Sequence, residues 1–168
     1  MKKSIQQIVL EHDRVLATRK RLEKMFSMIA NCHVTIGGSY MLTYWCEAFS
    51  DRVVSDYDFI LYALPEDMAK IKTFIDLLNR QTVCFGELKY YDNISIYCGF
   101  CNGKRANVIL KPVEKYCPCT NYETLEDIIA VKRAWCEKAI KQGKKPRYKD
   151  VLDISVYEDW LKEEDLPF

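Results

Sequence analysis

The sequence predicts an α/β (α+β) fold, a mixed β-sheet covered by helices, with a helix before it and a helical extension after it. Three observations carry this. Helix-period and strand-period segments alternate through the first half of the chain. Three strand-like runs then follow one another closely, separated by turn signals. Two long helix-period segments close the sequence, and this order of elements places helices against a sheet. A chain of 168 residues, 49% hydrophobic and 29% charged, suits a single domain and is too apolar for global disorder. The sheet-bearing core is expected over about 30–115 and the helical part over about 120–168.

Taken in order, residues Ser4 to Ile29 carry Ile5, Ile8, Val15, Leu22, Phe26 and Ile29 at near-helical spacing, which predicts one long or two jointed amphipathic helices. Arg19-Lys20-Arg21 on this segment reads as a solvated helix face. His33 to Ile36 is a short β-rich run, with His33 read as structural. Gly37-Gly38-Ser39 interrupts it, and a helix is expected from Tyr40 to Phe49 with Ser39 opening it. Tyr40 and Tyr44, one turn apart there, read as packing residues. Val54 to Ala63 forms the next strand. Pro65-Glu66-Asp67 opens a helix to about Asn79.

The three close strands are Val83 to Tyr91, Ile94 to Phe100 and Ala106 to Pro112, and Asn102-Gly103 between the last two is a strong hairpin signal. Helices are then expected over Tyr122 to Lys141, with Ile128, Ile129 and Trp135 facing the core, and over Tyr148 to Lys162. Gly143-Lys144-Lys145-Pro146 separates them. Lys144, Lys145, Arg147 and Lys149 form a basic cluster whose simplest reading is a solvated loop and whose sharper one is an RNA or triphosphate contact.

A net charge of +1 argues against long unspecific contact with nucleic acid. No apolar run approaches the roughly 20 residues of a membrane span, and the polar start lacks a signal-peptide core, so no membrane partner and a cytoplasmic location are expected. Eight cysteines spread through helices and strands without a secretion signal favour reduced thiols. Cys98, Cys101, Cys117 and Cys119 have the makings of a zinc site. Cys98 and Cys101, however, fall on opposite faces of a regular strand, which favours packed thiols.

The chemistry concentrates in Val34 to Leu61. Asp56 and Asp58, two apart on a strand, point to one face, while Tyr57 and Phe59 point to the other. Like charges this close are tolerated when a cation sits between them, which makes the pair candidate ligands of a divalent metal. Gly37 and Gly38 allow positive φ and close backbone approach, and a helix starting at Ser39 offers free N–H groups to a phosphate. Phosphate cradle and carboxylate pair together fit metal-dependent phosphoryl or nucleotidyl transfer.

Gly-Gly-Ser opening a helix, followed by a strand reading Asp-x-Asp, resembles the nucleotidyltransferase superfamily of the DNA polymerase β type, and most closely its minimal bacterial branch that includes type IV toxin nucleotidyltransferases. Leu125 to Arg133 and Arg147-Tyr148-Lys149-Asp150-Val151-Leu152-Asp153 are similar to the helical Lys and Arg-x-Lys-Asp-x-x-Asp elements of that branch. The resemblance covers about two thirds of the chain. It implies Mg²⁺ or Mn²⁺ held by Asp56 and Asp58, and a nucleoside triphosphate bound by Gly37, Gly38 and Ser39, with Lys132, Lys149 and Asp150 as further nucleotide-binding candidates. It also implies transfer of a nucleoside monophosphate to an RNA or protein hydroxyl. The family's third carboxylate lies on the strand beside Asp-x-Asp, where this chain has Asn107. An amide offers a neutral oxygen and takes no proton. That departure opens the alternative of a catalytically impaired relative that binds nucleotide, RNA or protein, or acts as an inhibitor. Glu87 or Asp92 would be the substitutes. Lys132 and Asp153 have simpler readings as a snorkelling surface lysine and a helix-face acid.

Overall fold

The computed structural model describes residues 2–81, 89–91, 95–114 and 120–164, with the backbone alone for 78–81, 89–91 and 95–100. The fold is α+β. Its elements are α1 (Ile5–Ser27), β1 (Cys32–Gly37), α2 (Gly38–Trp45), a 3₁₀ turn (Glu47–Phe49), β2 (Asp56–Ala63), α3 (Pro65–Gln81), β3 (Lys89–Tyr91), β4 (Ser95–Cys101), β5 (Lys104–Pro112), α4 (Leu125–Lys141) and α5 (Tyr148–Glu164). The sheet is mixed, in the order β1-β2-β5-β4-β3. β2 runs parallel to β5 and antiparallel to β1, and β4 runs antiparallel to both β5 and β3.

The N-terminal segment is one helix. Ser4 accepts the Gln7 N–H while the Gln7 side chain accepts the Ser4 N–H, a reciprocal cap that fixes the first turn. Val15, Leu22 and Phe26 are buried, and Phe26 meets Phe74 of α3 edge-on at 6.0 Å between centroids. Arg19 corrects the expectation of a solvated basic face. It is buried, donating from Nε to the Val34 carbonyl at 2.7 Å and pairing with Glu23, whereas Lys20 and Arg21 are exposed. A buried guanidinium is tolerated only with such partners. His33 is structural as expected, its Nε2 3.1 Å from the Thr120 carbonyl.

The Asn102-Gly103 turn joins β4 and β5 with positive φ at both residues, 52° and 72°, the backbone of a type I′ hairpin. Most of the first of the three close strands, Val83 to Tyr91, lies outside the described residues, as do Glu87, Asp92, Cys117 and Cys119. The side chain of Cys98 is likewise not described. Cys101 is buried, and Thr18 Oγ1 donates to its sulfur.

Two helix starts differ from expectation for local reasons. α2 begins at Gly38 rather than Tyr40, and Gly37 caps it without a side-chain bond. α4 begins at Leu125 because Thr124 accepts the Asp127 N–H. That leaves Asn121 to Glu123 extended beside β1: the Ile36 N–H donates to the Asn121 carbonyl and the Glu123 N–H to the Ile36 carbonyl, each at 2.8 Å.

Candidate functional site

Parallel pairing sets Asp56 beside Arg105 and Asp58 beside Asn107. The alternation of the pleat then turns Asp56, Asp58 and Asn107 to one face, while Tyr57, Phe59, Ala106 and Val108 are buried on the other. The Asn107 amide Nδ2 donates to Asp56 Oδ2 at 3.1 Å and to Asp58 Oδ1 at 3.3 Å. One neutral donor therefore bridges two carboxylates.

Burial, and then the neighbouring Asp56 charge, push the Asp58 carboxyl up to about 6; the Asn107 amide opposes the shift and Glu123 adds to it. Lys132 also lowers the Asp58 value, too weakly to restore the ordinary one. Two carboxylates and an amide oxygen, available by rotating Asn107 about its last torsion, form an all-oxygen donor set of the kind hard divalent cations take. The residues fit Mg²⁺ or Mn²⁺. Among the described residues, no three His, Cys, Asp or Glu side chains group so as to hold a metal, so the set depends on the amide.

Gly38 has φ +69°, and a Cβ there would lie 2.1 Å from Asp58 Oδ2. No side chain fits between the helix start and this carboxylate, which explains the glycine. At Gly37 φ is −138°, so the positive φ expected there is not used, and a Cβ would meet the movable ends of two side chains, 2.7 Å from Glu123 Oε1 and 2.8 Å from Ile60 Cδ1. The Gly38 N–H, expected to face a phosphate, donates to Glu123 Oε1 at 3.2 Å. Ser39 does not cap α2. It is the second helical residue, and its hydroxyl accepts from Arg52 Nη2 at 3.2 Å.

Arg52 leads to a second cluster. Its Nε and Nη2 donate to Asp153 at 2.7 and 2.9 Å. Lys132 Nζ lies 2.9 Å from Asp150 Oδ1 and 3.2 Å from Asp153 Oδ2. Lys132, Asp150 and Asp153 are all buried, which corrects the surface-lysine and helix-face readings. Asp150 Oδ2 is buried with no hydrogen-bond partner among the described residues, and Arg147 Nε stands 3.8 Å from it. Lys149 is exposed and lies outside the lining of the cleft described next.

A cleft of about 440 Å³ opens over this face of the sheet. Gly38, Ser39, Asp56, Asp58, Asn107 and Lys132 line it, bringing together most of the expected site residues. Its other wall includes Ile60, Ile109, Ile128, Val131 and Trp135, with Glu123 and Arg147. Trp135 is 49% exposed, not core-facing as its helical spacing suggests. Glu123 and Arg52 have no part in the sequence-based site. A signal for Glu123 existed: Thr124 with Asp127 three residues on marks a helix start, which leaves Glu123 outside the helix. Arg52 sits in a turn without periodicity, and only the fold brings it to Asp153, 101 residues away.

Tyr40 and Tyr44 pack as expected. Tyr40 OH lies 2.8 Å from His12 Nδ1, and Tyr44 stacks on both His12 and Tyr122. No helix among the described residues is long and apolar enough to cross a membrane. No family model matches the chain, and no curated protein matches it.

Proposed function

We propose that the cleft binds a nucleoside triphosphate with Mg²⁺ or Mn²⁺, and that the protein transfers a nucleoside monophosphate to a hydroxyl of RNA or protein. The observation that carries this reading is the jam of Gly38 against Asp58 beside Asp56. It is a helix start held against a carboxylate pair bridged by a neutral amide, with Lys132 and Arg52 acting on the pair only from a distance. Asp56, Asp58 and the amide oxygen of Asn107 would hold the cation, which supplies neutralisation of phosphate charge. Ser39 and the Gly37-Gly38 turn would contact the triphosphate, with Glu123 fixing the Gly38 backbone. The acceptor oxygen forms a bond to the α-phosphorus as the bond to the pyrophosphate leaving group breaks.

One observation favours a second reading, a catalytically impaired binding module or inhibitor. Asn107 both removes the third negative charge and cannot take a proton from the acceptor. Thermal unfolding with Mg²⁺ and ATP, then transfer of labelled nucleotide to bulk RNA or cell extract, separates the two. Stabilisation that Asp56→Ala, Asp58→Ala abolishes, together with label transfer, supports the enzyme. Stabilisation without transfer supports a nucleotide-binding module, and no stabilisation in either protein defeats the enzyme and favours a module that binds RNA or protein.

A further inference from the structure

The cleft is chemically divided. Carboxylates, the helix start and Lys132 occupy one part, while Ile60, Ile109, Ile128 and Val131 in the other carry no polar side-chain group. Trp135 stands one turn beyond Lys132 on α4, on the face that also presents Ile128 and Val131 to the cleft. Its indole is half exposed, and among the described residues no aromatic ring stacks on it. A large flat side chain left at the wall of a cleft, over an apolar floor and near the exposed guanidinium of Arg147, suits a flat aromatic ligand with an anionic tail.

Resting on the proposed triphosphate site, we propose that Trp135 is the stacking platform for the nucleobase, and that the cleft selects purine over pyrimidine nucleotides by stacking area. Ile60, Ile109, Ile128 and Val131 offer a base edge no donor or acceptor, and the polar Lys111 and Glu123 of the lining are engaged over the Tyr62 ring and by the Gly38 N–H, so adenine and guanine are accepted alike. Stacking on an aromatic side chain is tolerant of base identity and grows with ring overlap. Arg147, which lines the same cleft beside Asp150, would offer charge to the phosphates rather than to the base.

The test is equilibrium binding to the full chain in Mg²⁺, with ATP, GTP, CTP and inorganic tripolyphosphate as ligands, for wild type, Trp135→Phe and Trp135→Ala. ATP and GTP should bind within about threefold of each other and roughly tenfold tighter than CTP. Trp135→Ala should weaken ATP about tenfold and leave tripolyphosphate unchanged, and Trp135→Phe should recover most of the loss. Equal affinity for ATP and CTP, or an unchanged ATP affinity in Trp135→Ala, overturns the stacking role while leaving the triphosphate site standing. Equal weakening of ATP and tripolyphosphate in Trp135→Ala makes the residue structural and also overturns it. If wild type binds neither ATP nor tripolyphosphate, the triphosphate site itself fails and the inference falls with it.

Discussion

The two charged clusters that meet near Ser39 are built on opposite terms. On the sheet, Asp56 and Asp58 face each other across a neutral amide, and burial, then the Asp56 charge, raise the proton affinity of Asp58 against the opposing pull of that amide. Between α4, α5 and the turn before β2, Arg52 and Lys132 meet Asp150 and Asp153, two cations against two anions, all within 2.7–3.2 Å of a partner. The second cluster is balanced in charge, although Asp150 Oδ2 accepts no hydrogen bond among the described residues, and it holds the C-terminal helix to the rest of the fold. The first sets two carboxylates against a neutral amide, with Lys132 and Arg52 acting on them only from a distance. Lys132 belongs to the balanced one, so whatever charge it offers a phosphate is already shared with two carboxylates.

The largest expected effect follows from breaking the balanced cluster. Lys132→Met leaves buried Asp150 and Asp153 with Arg52 on Asp153 and only the exposed Arg147, at 3.8 Å, near Asp150, and an uncompensated buried charge costs about 3–5 kcal/mol. Urea unfolding at pH 7 measures it. A loss under 1 kcal/mol would mean that water reaches these aspartates and that the contrast between the clusters is false.

The carboxylate pair should show itself through pH. The Asp58 carboxyl sits above its ordinary 3.8, at about 6, in the folded protein. Between these values the native state holds a proton that the unfolded chain has released, so stability falls as pH rises from about 4 to 6 and levels off above 7. The fall amounts to at most about 3 kcal/mol for a shift of this size. Asp58→Asn should flatten that slope and leave the protein more stable than wild type at neutral pH without metal. A slope of the opposite sign, or one that survives Asp58→Asn, would place the strain elsewhere.

Asn107→Asp sharpens the same cluster. The new carboxylate replaces a donor with a third charge, which the fold answers by repulsion or by keeping a proton, at roughly 2 kcal/mol of stability in metal-free buffer. Mg²⁺ should reverse the sign, binding the variant more tightly than wild type and restoring its melting temperature. If wild type transfers nucleotide as fast as the variant, the amide suffices and the impaired reading fails. Should Mg²⁺ rescue neither stability nor binding, the pair is not a cation site.

What was legible in the sequence divides along similar lines. The Asp-x-Asp face and the neighbour Asn107 follow from period-two alternation and from strand order, so residue type and spacing suffice to place them. The hairpin at Asn102-Gly103 is legible because the turn demands positive φ. Arg19, Lys132, Asp150 and Asp153 were not, since a charged residue at helical spacing reads as surface unless its partner is known. Arg19 has Glu23 close by, but the Val34 carbonyl it meets is 15 residues away, and the Lys132–Asp150 and Arg52–Asp153 partners are 18 and 101 apart. Trp135 fails the reverse way: apolar spacing assigns it to the core, while the cleft leaves that stretch of α4 open.

The smallest expected effect isolates burial as the cause of the contrast. Arg133 and Glu158 also join α4 to α5, with Nη2 and Oε1 3.2 Å apart, close to the spacing within the buried network. Both side chains are about half exposed, so water and salt screen the pair and the long side chains give up entropy to hold it. Glu158→Gln keeps the side chain's length and leaves Arg133 over the Tyr157 ring, 6.0 Å from its centroid, while removing the charge. The loss should be under about 1 kcal/mol and should vanish in 1 M salt, whereas the Lys132→Met loss should persist there. Comparable losses for the two variants would mean that α5 is held by the number of ion pairs rather than by the buried ones, and Lys132 would then be free to serve the cleft.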